Sequence, residues 1–240
     1  GRDLTAAMEA VVRRCVLDLS EADGLILKSR SPSCGLRDAR AYASAEAETA
    51  TEETCRGMFA SGVLERLPHL AVEDELSLRD ASRWDHFLMR LFAQARFRAV
   101  RAEGTPGALV RYQTENKLLL MAFDKQRLSA MGRLVATVAE RPMTETLDAY
   151  AENLYAALAE PARRSTHVNA LMHAMGYLSK RVTRRERGDF LELLDAYRQG
   201  NAPLSACVAA LASWVAQYGE PYLARQTYLH PYPEALARAA

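Results

Sequence analysis

The residues most able to do chemistry lie in one short loop. Ser29-Arg30-Ser31-Pro32-Ser33-Cys34-Gly35 follows the apolar run Leu25-Ile26-Leu27, which reads as a buried strand bounded by turn signals. Pro32 keeps the backbone extended and Gly35 permits a sharp turn. Ser31 and Ser33 set hydroxyls beside the Cys34 thiol. A loop at the carboxyl end of a strand is where layered α/β folds hold ligands. On residue type alone, Cys34 is a nucleophile, a metal ligand or an idle thiol, and spacing does not choose among the three. The remaining cysteines stand at 15, 55 and 207, and none forms a C-x-x-C pair. Cys15 falls on the apolar face of a helical pattern and Cys207 lies within another, so both are expected to pack. This is not a secreted disulfide framework, and a reducing cytoplasm is the expected setting.

A second group of polar residues occurs further along. Asn169, His173 and Lys180 lie at spacings of four and seven, near one helix face, with Gly176 between them to admit a close neighbour. Lys117 opens a very apolar helical run, and Arg225 and Gln226 precede a tyrosine-rich tail. Two readings stand: these groups line a polar pocket inside a helical bundle, or Asn169 and His173 merely cap or bridge helices. His167 and His173 are six apart, off one face, and do not make a metal pair. The basic stretch from Arg163 to Arg187 is either a nucleic-acid surface or a solvated face diluted by Glu186, Asp189 and Glu192.

Around these residues the chain changes texture. Residues 3–19 show helical spacing, 25–27 and 39–43 read as strands, 44–56 as a surface loop, 57–67 as a helix and 70–72 as a last strand. From residue 82 the pattern is helical throughout, with runs at 107–123, 125–140, 144–159, 164–181, 184–199, 204–218 and 221–227. The expected fold is therefore mixed: the C-terminal portion of a small α/β layered domain over residues 1–76, then an all-α helical bundle over residues 82–240. Charge divides in the same way. Residues 1–80 carry 10 Lys/Arg against 15 Asp/Glu, and residues 81–240 carry 21 against 15. No apolar run approaches the ~20 residues needed to span a bilayer, so no membrane partner is expected. The chain opens on Gly1 already in a helical pattern, with no signal or transit peptide, which predicts that a preceding segment has been lost.

The stretch from Asp23 to Leu36, with Tyr42, Gly57-Met58-Phe59-Ala60 and Leu67-Pro68, closely resembles domain-of-unknown-function family 523, whose members are similar to thiouracil desulfidase. The resemblance implies iron–sulfur-dependent, non-redox desulfuration of a thiolated nucleobase or similar small molecule. It implies a [4Fe–4S] cluster held by three cysteines, of which only the third is matched here, at Cys34. The other two, and a catalytic carboxylate, belong to earlier motifs that this sequence lacks, so residues 1–240 alone are expected to hold no stable cluster. Ser31 would orient substrate or relay a proton, with Ser29 and Ser33 as rivals. Asn116–Ala122, Met131–Ala136, His167–Tyr177 and Tyr222–Pro233 resemble family 1722, the YbgA-like group, which supplies no mechanism. That family usually carries histidine where this chain has Gln113 and Phe123. The competing function is a non-catalytic helical module that binds nucleic acid or a partner protein.

Overall fold

A computed structural model describes residues 3–19, 21–44, 47 and 49–237. The chain divides into two compact units, Gly1–Leu91 and Phe92–Ala240. The fold is mixed, with a small α/β part first and a helical bundle after it.

In the first unit, α1 (Thr5–Leu19) leads into β1 (Gly24–Leu27). Two short strands, β2 (Ala39–Arg40) and β3 (Thr54–Cys55), pair antiparallel, and then come α2 (Met58–Arg66) and β4 (Ala71–Asp74). The pairing of β3 with β2 corrects the expectation of an unbroken loop over 44–56; positions 45, 46 and 48 of that loop lie outside the described residues. Strands β1 and β4 run parallel, in register from Gly24 opposite Ala71 to Leu27 opposite Asp74. Parallel strands need a crossover connection, and here it contains the Cys34 loop, the β2–β3 pair and α2. Apolar side chains of α2 and the strands meet in one layer: Leu27, Leu36 and Ala60 pack together beside Val63, Leu67 and Leu70. Val16 and Leu19 of α1 pack against the latter group.

Helix α3 (Ala81–Glu103) contains the boundary between the units. After it come α4 (Pro106–Glu115), α5 (Lys117–Phe123), α6 (Lys125–Ala136), α7 (Met143–Ala157), α8 (Arg164–Leu178), α9 (Arg184–Gln199), α10 (Leu204–Tyr218) and the short α11 (Pro221–Ala224). Local signals set most boundaries. Thr105 and Asp124 cap α4 and α6 with side-chain oxygens. Thr183 and Glu186 form a reciprocal capping box on α9, and Gly200 ends it in the left-handed conformation at φ 89°. Among the described residues, no helix is long and apolar enough to cross a membrane.

The expected helix over 107–123 is broken at Asn116, which has φ −98° and ψ 8°. No glycine or proline marks this break; distant residues complete it. Gln226 accepts from the Leu118 N–H at 3.1 Å and donates to the Thr114 carbonyl at 2.8 Å. The Thr227 N–H donates to the Glu115 carbonyl at 2.9 Å, and its hydroxyl donates to Asn116 Oδ1 at 2.7 Å. Asn116 and Gln226 are 1% and 2% exposed, so their polar groups have these protein partners in place of water. Replacing Gln226 by Leu strands one donor and one acceptor at the α4–α5 junction. The expected loss is about 2–4 kcal/mol of stability, read as a lower urea midpoint at unchanged denaturant slope.

Candidate functional site

Cys34 lies in a tight turn at the carboxyl end of β1, half-buried against the Leu27, Leu36 and Ala60 cluster. The turn closes on itself: the Gly35 N–H donates to the Ser31 carbonyl at 2.8 Å, and the Cys34 N–H donates to Ser31 Oγ at 3.2 Å. Ser31 Oγ and Ser33 Oγ are 3.1 Å apart, and Ser33 Oγ is 3.5 Å from Cys34 Sγ. Ser31, Ser33 and Cys34 thus form a continuous hydroxyl–hydroxyl–thiol line. Such a line can hold or pass a proton and can orient a polar atom brought beside the thiol.

A second backbone fixes this turn in place. The Ala60 N–H of α2 donates to the Ser33 carbonyl at 3.1 Å, and the Gly57 N–H donates to the Gly35 carbonyl at 2.8 Å. The approach is so close that a Cβ at Gly57 would fall 2.4 Å from the Ser33 carbonyl carbon and oxygen. Glycine is required at 57 for this proximity rather than for any unusual dihedral angle. The start of the loop is also held. Ser29 is 5% exposed, and the Glu75 carboxylate accepts from its N–H at 2.7 Å and its hydroxyl at 2.9 Å. Hydrogen bonds from Lys28 first, and then from Ser29, pull the Glu75 carboxyl down to about 2. Asp38, four residues past the thiol, has a buried Oδ1 without a hydrogen-bond partner. Gly57 and its neighbours were visible in sequence only as part of the family resemblance; Glu75 and Asp38 gave no signal there.

The polar residues of the helical unit are placed differently. Asn169 and His173 are exposed on α8, and Lys180 is exposed just past its end. The His173 ring meets the Tyr177 ring edge-on at 5.6 Å, and Tyr177 stacks on Tyr222 at 4.7 Å. At Gly176 an added Cβ would meet open space, so nothing packs closely there. Lys117 and Arg225 are exposed, whereas Gln226 is buried in the helix junction already described. Gln113, at a position where the resemblance implies histidine, accepts a 2.5 Å hydrogen bond from the buried Tyr150 hydroxyl. His167 is buried, its Nδ1 2.8 Å from the Tyr228 hydroxyl, and burial lowers its pKa to about 4.

The donor set decides how a metal group fits. Cys15 and Cys55 belong to α1 and β3, Cys207 is buried in α10, and no group of three or more His, Cys, Asp or Glu among the described residues could hold a metal ion. A cluster held by three protein thiolates does not fit these residues by themselves.

Residues 1–75 match the 2-thiouracil desulfurase family, and residues 117–233 match a family of proteins of unknown function, DUF1722. Two segments that match different families are thus joined in one chain, and the Cys34 loop lies within the first of them. The chain is also similar to the uncharacterized protein YbgA of Escherichia coli strain K12, at 29% identity over 154 residues, which is 63% of this chain and 91% of that relative. No solved structure matches.

Two outcomes test this geometry. Gly57→Ala drives a methyl group into the Ser33–Cys34 backbone; it is expected to cost about 1–3 kcal/mol and to displace the loop, seen as a lower urea midpoint and faster alkylation of Cys34. His167 is held neutral in the fold, while in the unfolded chain it takes up a proton near pH 6.5. The unfolded state therefore binds more protons between pH 6.5 and 4, so stability falls across that window as pH drops, by up to about 3 kcal/mol. Urea titrations at pH 7 and pH 4.5 should show this slope, and His167→Gln should lack it.

Proposed function

We propose that this chain serves the non-redox desulfuration of a thiolated nucleobase or similar small molecule, with the Cys34 loop as its reacting edge. The net change replaces a thiocarbonyl by a carbonyl, with water supplying the oxygen and sulfide leaving. No electrons are gained or lost, so the reaction asks for binding, proton handling and a place for sulfur to go. The observation that carries the reading is the Ser31–Ser33–Cys34 line at the carboxyl end of a parallel strand pair, within the segment that matches the desulfurase family. Ser31 and Ser33 offer hydroxyls that can orient the thiocarbonyl and move a proton.

We further propose that Cys34 is one of three cysteine ligands of a [4Fe–4S] cluster in the intact protein, as the family resemblance implies. Such a cluster leaves one iron without a protein ligand and supplies Lewis acidity when bound. Since residues 3–19, 21–44, 47 and 49–237 do not hold the other two thiolates together with Cys34, these would come from beyond them.

Anaerobic reconstitution of the intact protein with iron and sulfide tests the reading, followed by an assay of sulfide release from 2-thiouracil. Cys34→Ala is expected to lower both cluster absorbance and sulfide release by at least about tenfold. Unchanged absorbance in the variant excludes Cys34 as a ligand, and unchanged sulfide release excludes the loop as the reacting edge.

A further inference from the structure

The β1–β4 ladder ends one step before the reactive loop begins. Leu27 pairs with Asp74, and the Glu75 N–H reaches back to the Leu27 carbonyl at 3.3 Å. Beyond that point β1 has no strand neighbour to take its next inward N–H, that of Ser29. A buried N–H and a buried hydroxyl must both find acceptors, and the Glu75 carboxylate takes both. It also accepts from Lys28, whose hydrogen bond helps keep the carboxylate charged, but that side chain is 74% exposed and has no buried group to be satisfied.

The residue after Ser29 is Arg30, at φ 57°, the one non-glycine residue with positive φ among those described. A residue with a Cβ stays in the left-handed region only where its neighbours over-determine it. Among the described residues, its own exposed side chain makes no hydrogen bond or ion pair that would do so. Downstream, Ser31 is fixed by the Gly35 and Cys34 N–H groups. Upstream, the fixing group is the Glu75 carboxylate. The strained residue therefore sits between two anchored serines, and the direction in which Ser31, Ser33 and Cys34 face follows from it.

We propose that Glu75 is a positioning residue: by clamping Ser29 across the end of the parallel ladder, it holds Arg30 left-handed and thereby sets how the Ser31–Cys34 turn is presented. The inference rests on the desulfuration reading only in taking this turn to be the site. The low pKa of Glu75 keeps the clamp charged throughout the neutral range, so it acts as a fixed brace and not as a pH switch.

The test is the rate at which iodoacetamide alkylates Cys34 in the folded full chain, measured by peptide mass spectrometry against the exposed Cys55 as internal reference. Glu75→Ala should raise the Cys34-to-Cys55 rate ratio by at least about fivefold, because the half-buried thiol is released with its turn. Glu75→Gln, whose amide carbonyl still accepts from the Ser29 N–H, should restore most of the original ratio. Lys28→Ala should leave it unchanged. If Glu75→Ala does not fold, Ser29→Ala removes one arm of the clamp and should raise the ratio by about twofold. An unchanged ratio in Glu75→Ala or Ser29→Ala overturns the proposal, as does an equal rise in Lys28→Ala. The readout needs neither a cluster nor turnover, so a failed clamp leaves the desulfuration reading standing, and absent sulfide release leaves the clamp standing.

Discussion

In the first unit two stretches of backbone lie closer together than side chains would allow, and the rest of the site follows from that contact. The Ser33–Cys34 peptide presses on the start of α2 at Gly57, and two hydrogen bonds join the turn to α2 and the residue before it. Because the turn is tied to a helix, and the helix packs on the strands through Ala60 and Val63, the thiol is referenced to the core rather than to a free loop. Loops that carry chemistry usually gain precision from the rigid elements around them. Here the short parallel pair cannot supply much rigidity alone, since two strands make a marginal sheet. The apolar layer beneath and the hydrogen bonds at both ends of the turn provide it.

The second unit spends its buried polar groups on architecture. Gln226, Asn116 and Thr227 satisfy the open ends of two helices, and His167 pairs with Tyr228 in the core. Tyr150 hands its hydroxyl to Gln113. In each case the polar atom answers a backbone or hydroxyl group that burial would otherwise leave without a partner. Of the polar residues expected to line a pocket, Asn169, His173, Lys180, Lys117 and Arg225 face solvent, spread over α8, the start of α5 and the tail.

Much of this was legible before the structure. Pro32, Gly35 and the preceding apolar run marked the Cys34 turn through local signals, and the fold class followed from the change in periodicity near residue 82. What escaped was long-range. The break at Asn116 has no local signature because its cause is Gln226, more than a hundred residues away. Glu75 sits in an acidic run, Glu73-Asp74-Glu75, whose members are indistinguishable until β1 and β4 are paired. Gln226 itself looked like a candidate for ligand binding, because a glutamine that completes a helix junction and one that lines a pocket have the same residue type and the same flanking pattern. Strand β3 is two residues long, below the length at which alternation can be read.

The stitch across the α4–α5 junction also has a consequence for synthesis. A ribosome releases the chain from its amino end, so Asn116 and the groups around it emerge long before Thr227 is made. During that interval the junction has exposed or water-paired polar groups where the finished fold has Gln226 and Thr227. Helices α4 and α5 can form early, since their own hydrogen bonds are local, but their junction gains Gln226 and Thr227 as partners only when the tail arrives. The bonds that fix this junction can therefore form only after the newest residues reach some of the oldest.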